Sequence, residues 1–272
     1  MNVLCASAAQ GLVRALQGVF LEFTGARIHG SFGSIGQLRE SFLAGAQCDV
    51  LIVTAPVVGE LQADGRLADS EGVLGRVRTA LAMPGDAPRP DLSTPDALKA
   101  TLLAAPAIYC ADMQRCTSSI HFGAVLRELG ISDLVKPRLR WLANGGDAMR
   151  ELAADGRPGA IGCAQTTQIR YTPGIQLAGN LPPKFELAMV YSAAVSARAE
   201  QPDKARRFIE LLTGARTRVM RTQVGFEAVA AAESLAGSCG GGSQMGELGA
   251  GTFPGQPQGA GAAVSRRWGF FR

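Results

Sequence analysis

Hydroxyls, amides and glycines recur in this chain where an apolar run ends and a helical pattern begins. They stand at Ser7-Ala8, Ser34-Ile35-Gly36, Thr117-Ser118-Ser119 and Gly145-Gly146-Asp147, with Gln165 closing a further apolar run. None of these stretches holds a lysine or arginine. Donors of this kind, gathered without a fixed counter-charge, suit a desolvated oxyanion held by hydrogen bonds and helix dipoles. One such loop is ordinary capping, because Ser and Gly are common at helix starts. Two loops from each half of the chain imply two lobes that face one cleft.

Covalent and acid–base chemistry find less footing. The Gly33-Ser34-Ile35-Gly36 stretch lacks the G-x-S-x-G spacing of a nucleophile elbow, and no G-x-x-x-x-G-K-[ST] phosphate loop occurs. A Ser118, His121 and Asp112 set can be drawn, but His121 falls on the first turn of a helix, where a structural histidine is the commoner outcome. His29 lies within a strand pattern, and no pair of carboxylates is spaced for general acid–base work. Six cysteines (5, 48, 110, 116, 163 and 239) form no C-x-x-C pair and accompany only two histidines, so neither a metal site nor a cofactor is expected. Cys5, Cys48, Cys110 and Cys163 sit in apolar runs and read as small buried hydrophobes. Whether Cys110 and Cys116 form a disulfide stays open.

The elements that would position the loops alternate along the chain. Val3–Ala6, Ala26–Phe32 and Cys48–Val53 read as strands, separated by helical patterns on Leu12, Leu16, Val19, Phe20 and Phe23 and on Leu38, Phe42 and Leu43. A short helix follows from Thr54 to Gly65, then a strand from Leu74 to Met83 and a turn-rich boundary at Pro84–Pro90. A second series opens with a helix capped by Thr94, with Pro95 at its first position. Strands at 107–110, 138–142 and 160–164 alternate there with helices at 120–129 and 148–154, the latter capped by Asp147. The longest strand candidate is Phe185–Val195, before helices at Pro202–Leu212 and Arg216–Gln223. Strand–helix alternation of this kind implies an α/β protein with parallel-rich sheets and right-handed crossovers. An open sheet of that type binds its ligand where strands end and helices begin.

Composition narrows the function classes. The chain of 272 residues is 47% hydrophobic and 18% charged, as a globular protein is. The net charge of +4 is mild, aromatics are only 6% and the basic residues are scattered, so no nucleic-acid partner is expected. The basic stretch Lys204–Arg221 reads as a solvated helix face. No run is long enough to span a membrane. No signal peptide precedes the first strand, which read literally places the product in the cytoplasm. From Ser234 the pattern gives way to a Gly-rich tail, residues 234–272, expected to be disordered and inert.

Several stretches share their order and spacing with a known family over about residues 2 to 232. They are Ser31–Gly36, Ala44–Val53, Pro90–Leu98, Thr117–Phe122 with Leu126 and Leu129-Gly130, and Val224–Phe226. On these the chain resembles the molybdate-binding-protein-like substrate-binding proteins of ABC transporters. The resemblance implies a two-lobed type II periplasmic-binding-protein fold with a two-strand hinge. Lobe one would be 2–80 plus 188–232 and lobe two 84–184, with crossings near Ala80–Met83 and Phe185–Val190. It implies a periplasmic, non-enzymatic monomer that captures a small anion and hands it to a transporter permease. The anion would be a molybdate- or tungstate-like oxyanion or a small organic anion; the alternative is a cytoplasmic anion sensor on the same fold. In the family, two loop serines, two helix starts and often a tyrosine contact the ligand. Those positions fall here on Ala8 beside Ser7, Ile35 beside Ser34, Ser118 beside Thr117, Ala148, and Gln165. Three side-chain donors of the family are therefore displaced or replaced, while the backbone donors are kept.

Overall fold

The computed structural model describes residues 1–85, 87–113 and 116–229. The expected Gly-rich tail, Cys239 and residues 230–232 lie outside the described residues.

The first sixty-three residues form three strand-to-helix units. β1 (Asn2–Ala6) passes through a 3-10 turn at Ser7–Ala9 into α1 (Gln10–Thr24). The stripe Leu12, Val13, Leu16 and Phe20 is buried along α1, and Gly25 ends the helix at φ +65°. β2 (His29–Gly33) leads into α2 (Ile35–Leu43), and β3 (Val50–Thr54) into α3 (Ala55–Ala63). The long β4 (Leu67–Pro84) then leaves this half.

The second series runs α4 (Pro95–Ala104), β5 (Ile108–Ala111), α5 (Thr117–Glu128), α6 (Ser132–Val135), β6 (Leu139–Leu142), α7 (Gly145–Asp155), β7 (Ile161–Gln165), α8 (Thr166–Tyr171) and β8 (Ile175–Asn180). Thr94 caps α4 as expected, accepting from the Ala97 N–H at 3.1 Å. The chain returns through β9 (Ala188–Ser196) to α9 (Pro202–Thr213) and α10 (Arg218–Gln223).

The strands follow one path, β2-β1-β3-β9-β4-β7-β5-β6, with β8 also on β4. The outer pairs β1/β2, β1/β3, β5/β6 and β5/β7 are parallel. Every pair made by β4 or β9 is antiparallel, so the sheet is mixed at its centre and not parallel throughout. The reason lies in β4, which serves both halves. Up to Arg78 it pairs with β9; from Thr79 it pairs with β7 and β8.

The apolar interior divides at the same place. One cluster draws on Met1 through Val77 and on Tyr191 through Phe226, and it includes the edge-to-face pair Phe20–Phe208 at 5.0 Å between α1 and α9. The other clusters draw on residues Ala80 through Phe185. The cysteines expected to be buried, Cys5, Cys48, Cys110 and Cys163, are buried free thiols, and Cys116 is free as well. Among the described residues no helix is long and apolar enough to cross a membrane.

Asp49 ties the first half together. It is 1% exposed, and its carboxylate accepts from the Asn2 N–H at 2.7 Å and from the Gln201 N–H at 3.0 Å. Two charge-assisted bonds thus join the start of β1, the start of β3 and the entry to α9. Asp49→Ala leaves two backbone donors without acceptors, and we expect a loss of about 3 kcal/mol in unfolding free energy. Urea denaturation of the variant checks this; a loss below about 1 kcal/mol would remove Asp49 from that role.

Candidate functional site

The loops singled out by residue type converge on one cavity. It has a free volume of about 50 Å³ and opens between the strand ends of both halves. From the first half it is lined by Ala6, Ser7, Ala8, Gly33, Ser34 and Ile35; from the second by Cys116, Thr117, Ser118, Asn144, Gly145, Gln165 and Gln168. Met189 and Tyr191 of β9 complete it. Among the described residues, no aspartate, glutamate, lysine, arginine or histidine lines it.

Backbone donors come from three helix starts. Ile35 is the first residue of α2, Thr117 of α5 and Gly145 of α7, and all three line the cavity. The first N–H groups of a helix have no intrahelical acceptor and sit at the positive end of its dipole. In α5, Ser119 N–H and Ile120 N–H both donate to Cys116 O, so among the described residues the groups of Thr117 and Ser118 are the ones left over. In α7, Asp147 N–H donates to Asn144 Oδ1 at 2.9 Å and Ala148 N–H to Asn144 O at 3.1 Å. Gly145 and Gly146 are left in the same position.

This corrects two expectations. Asn144, not Asp147, caps α7, which therefore starts three residues earlier than the pattern implied. Asn in extended backbone is as good a cap as Asp. Ala148 is consequently not brought to the cavity: it is fully buried and its N–H is engaged within the helix. Asp147 faces Arg150 in an ion pair and accepts from Asn144 Nδ2 at 2.8 Å, so its charge is compensated beside the helix start.

The serines are brought to the cavity but are already occupied. Ser7 Oγ donates to Gly33 O at 3.1 Å, stitching the 3-10 turn to the end of β2. Ser34 caps α2: its Oγ donates to Gln37 Oε1 at 3.0 Å and accepts from the Gln37 N–H at 3.3 Å. The Ala8 and Ile35 positions beside them line the same wall. Thr117 and Ser118 stand in the first turn of α5, not in a loop before it, with Ser118 buried.

Gln165 ends β7 and donates through Nε2 to the hydroxyl of Tyr191 at 2.6 Å. Its own N–H donates to Gln168 Oε1 at 3.3 Å. Gln168 in turn lies against α7: a Cβ at Gly145 would fall 2.3 Å from Gln168 Oε1, so glycine is what lets the amide sit there. Burial pushes the phenol of Tyr191 well above its ordinary range and raises the Cys116 thiol, the latter with help from Asp112.

Tyr191, Gln168, Asn144, Cys116 and Met189 were not singled out from sequence. A tyrosine in the apolar run 188–195 was a usable signal, since a buried phenol needs a partner. Gln165-x-x-Gln168 was another, for it has the spacing of a reciprocal helix cap. Thr166 and Thr167 begin α8, and β8 has no clear alternation to mark it in the sequence. His121 places Nε2 2.8 Å from Phe185 O, the structural role expected of it, and does not line the cavity. His29 is exposed on β2.

Comparison with known proteins fits this geometry. A family model described as bacterial extracellular solute-binding protein matches residues 1–227. An aconitate isomerase from Pseudomonas sp is 26% identical over 221 residues, covering 78% of this chain and 81% of that protein. The periplasmic molybdate-binding protein of Azotobacter vinelandii superposes with a TM-score of 0.68 at 18% identity, covering 85% of this chain and 100% of the other. The sulfate-binding protein SubI of Mycobacterium tuberculosis H37Rv superposes with a TM-score of 0.65 at 14% identity, covering 87% and 89%. The last two show the fold, which is that of type II periplasmic binding proteins.

Ser34 separates a capping role from a ligand-holding one. We expect Ser34→Ala to cost about 1 kcal/mol of stability through loss of the α2 cap. Chemical denaturation without any added ligand measures it. Unchanged stability would mean that the hydroxyl is not held for the helix.

Proposed function

The chain belongs to the bacterial extracellular solute-binding proteins, and from that premise we propose that it captures a small anion between its two halves for uptake by an ABC-type permease. The observation that carries this reading is the cavity lining. Among the described residues, three helix starts, a phenol, hydroxyls and side-chain amides meet there without one charged side chain. Such a set recognises an anion by directed hydrogen bonds and dipoles, with no counter-ion to attract a cation in its place. We place the protein outside the cytoplasm, as the family description has it.

Capture would work by closure of two lobes, 2–80 plus 188–232 and 84–184, about the crossings near Ala80–Met83 and Phe185–Val190. Support comes from the partner change of β4 at Arg78/Thr79 and from the division of the apolar clusters. A ligand that touches residues from both sides favours the closed form by its differential contacts. In this reading Ser7, Ala8, Ser34 and Ile35 form one wall, Thr117, Ser118 and Gln165 the other.

The free volume of about 50 Å³ favours a compact oxyanion over a drug-sized ligand, whose pockets run to several hundred Å³. The aconitate isomerase relative favours a second ligand class, a small organic carboxylate. For either, binding without chemistry is the simpler outcome. Among the described residues, the titratable groups lining the cavity are Cys116 and Tyr191, both raised by burial, so neither is a base poised near neutral pH.

Calorimetry with molybdate, tungstate, sulfate, phosphate and trans-aconitate tests the reading. We expect at least one to bind at micromolar or better affinity, and no heat with any of them from folded protein would sink it. The pH dependence has a definite form as well. Acids whose pKa is raised stay protonated and neutral until the pH is high, so the cavity gains no negative charge between pH 5.5 and 8.5. Sulfate keeps one charge state over that range, and its affinity, if it binds, should hold to within about twofold. A steep loss toward alkaline pH would show an ionising group in the cavity.

A further inference from the structure

We infer that Tyr191, held by Gln165, is the side-chain donor that contacts the bound anion, and that Gln165 acts as its positioning residue and not as a ligand contact. This rests on the anion reading above and names the side chain that would carry selectivity within it.

Three observations converge on Tyr191. It lines the cavity while being only 1% exposed, so the residue is shielded from bulk water. Its ring packs edge-to-face on Phe226, with centroids 6.4 Å apart and planes at 82°, which fixes the direction of the C–O bond. It also stands opposite an irregularity in β4: the register skips between Val73 and Gly75, and Gly75, at φ +141°, is the residue paired with Tyr191. A Cβ at Gly75 would fall 2.6 Å from Glu227 O, so the position is closed to other residues. Bulges of this kind bend a strand and re-aim the side chains beside them.

The hydrogen bond from Gln165 Nε2 sets what the phenol can do next. A phenol oxygen accepts and donates one proton. With the amide N–H of Gln165 donating to it at 2.6 Å, the oxygen serves as acceptor there and its own proton is left to give to a third group. Donation by an amide also polarises the O–H and strengthens the bond it makes in turn. Since burial keeps the phenol protonated, it offers that proton across the neutral range and adds no negative charge against an anion. The alternative side-chain donors of the first wall, Ser7 and Ser34, donate to Gly33 O and Gln37 Oε1. The bond also ties the end of β7 to β9, so a ligand on Tyr191 is coupled to both halves of the sheet path.

The test uses the full chain with molybdate, sulfate and trans-aconitate as probes, in two measurements. Calorimetry on the parent, Tyr191→Phe, Gln165→Leu and the double variant comes first. We expect Tyr191→Phe to bind about 10- to 100-fold more weakly, the range for a hydrogen bond to a charged acceptor. Gln165→Leu should lose about 3- to 10-fold, and the double variant no more than about twofold beyond Tyr191→Phe alone, because the amide acts only through the phenol. The second measurement needs no folded variant. The chain has three tyrosines, and carbon-13 labelling at Cζ should show one resonance moving when the anion is added to the parent. Tyr191→Phe assigns it where that variant folds. Tyr191→Phe binding within about twofold of the parent, independent losses in the double variant, or tyrosine resonances that stay still on ligand addition would each overturn the assignment. A parent that binds none of the probes overturns the anion reading itself, before any variant is made.

Discussion

The change of partner along β4 is the constraint on which the rest depends. One continuous strand pairs with β9 through Arg78 and with β7 from Thr79 onward. At that step the Thr79 N–H still reaches back to Leu187 O at 2.8 Å, so no ladder position is lost in the handover. Arg78 buttresses it. Its Nε lies 2.9 Å from both carboxylate oxygens of Glu227, and the same guanidinium pairs with Glu186 on the approach to β9. One Nε–H shared between both oxygens of Glu227, with a second nitrogen on Glu186, holds the guanidinium between two acids where a lone surface pair would not. Since Gln165 is paired with Thr79 and Tyr191 with Gly75, the cavity floor is built on the residues flanking the handover.

That placement explains why the cavity can be small and uncharged and still be directed. Strand ends from two half-sheets deliver helix starts to one point, and each start brings backbone N–H groups whose positions are fixed by the helix itself. Fixed donors need no reorganisation when an anion arrives. A lysine or arginine would add attraction but would also carry a desolvation cost in the absence of ligand, beside the buried Ser118, Gln165, Gln168 and Tyr191. Asp147, the one acid in the first turn of α7, is compensated by Arg150 and Asn144, so the dipole end beside it is not cancelled.

Much of this was legible in the residues. The strand–helix alternation follows from apolar periodicity, and polar loops at strand ends are visible because Ser, Thr, Asn and Gly cluster where the periodicity breaks. What a local pattern cannot carry is which partner a polar group takes. Ser7 and Ser34 look like ligand donors in isolation, but one bonds a carbonyl 26 residues away and the other its own helix. The start of α7 was misplaced because Gly-Gly reads as loop, whereas the Asn144 cap and packing under Gln168 make it helix. Antiparallel pairing at the centre was hidden for a different reason. It depends on β9 returning from the second half to lie between β3 and β4, a long-range event with no local signature.

The resemblance and the geometry together separate two properties that a motif alone runs together. Backbone donors at the starts of α2, α5 and α7 are set by the fold, and in the proposed reading any compact oxyanion would use them. Discrimination among such anions must then come from the few side chains whose polar atoms are not already engaged in holding the fold. Among the described lining residues, those on the second wall and β9 qualify better than the loop serines of the first. Where the resemblance implies a tyrosine this chain has Gln165, and a phenol reaches the same cavity from β9 and bonds to it. A site can thus retain its backbone cradle while its side-chain donor arrives from a different strand. In the proposed site, the packing of Tyr191, Gln165 and Gln168 would decide the ligand more than Ser7 and Ser34, whose hydroxyls hold the fold.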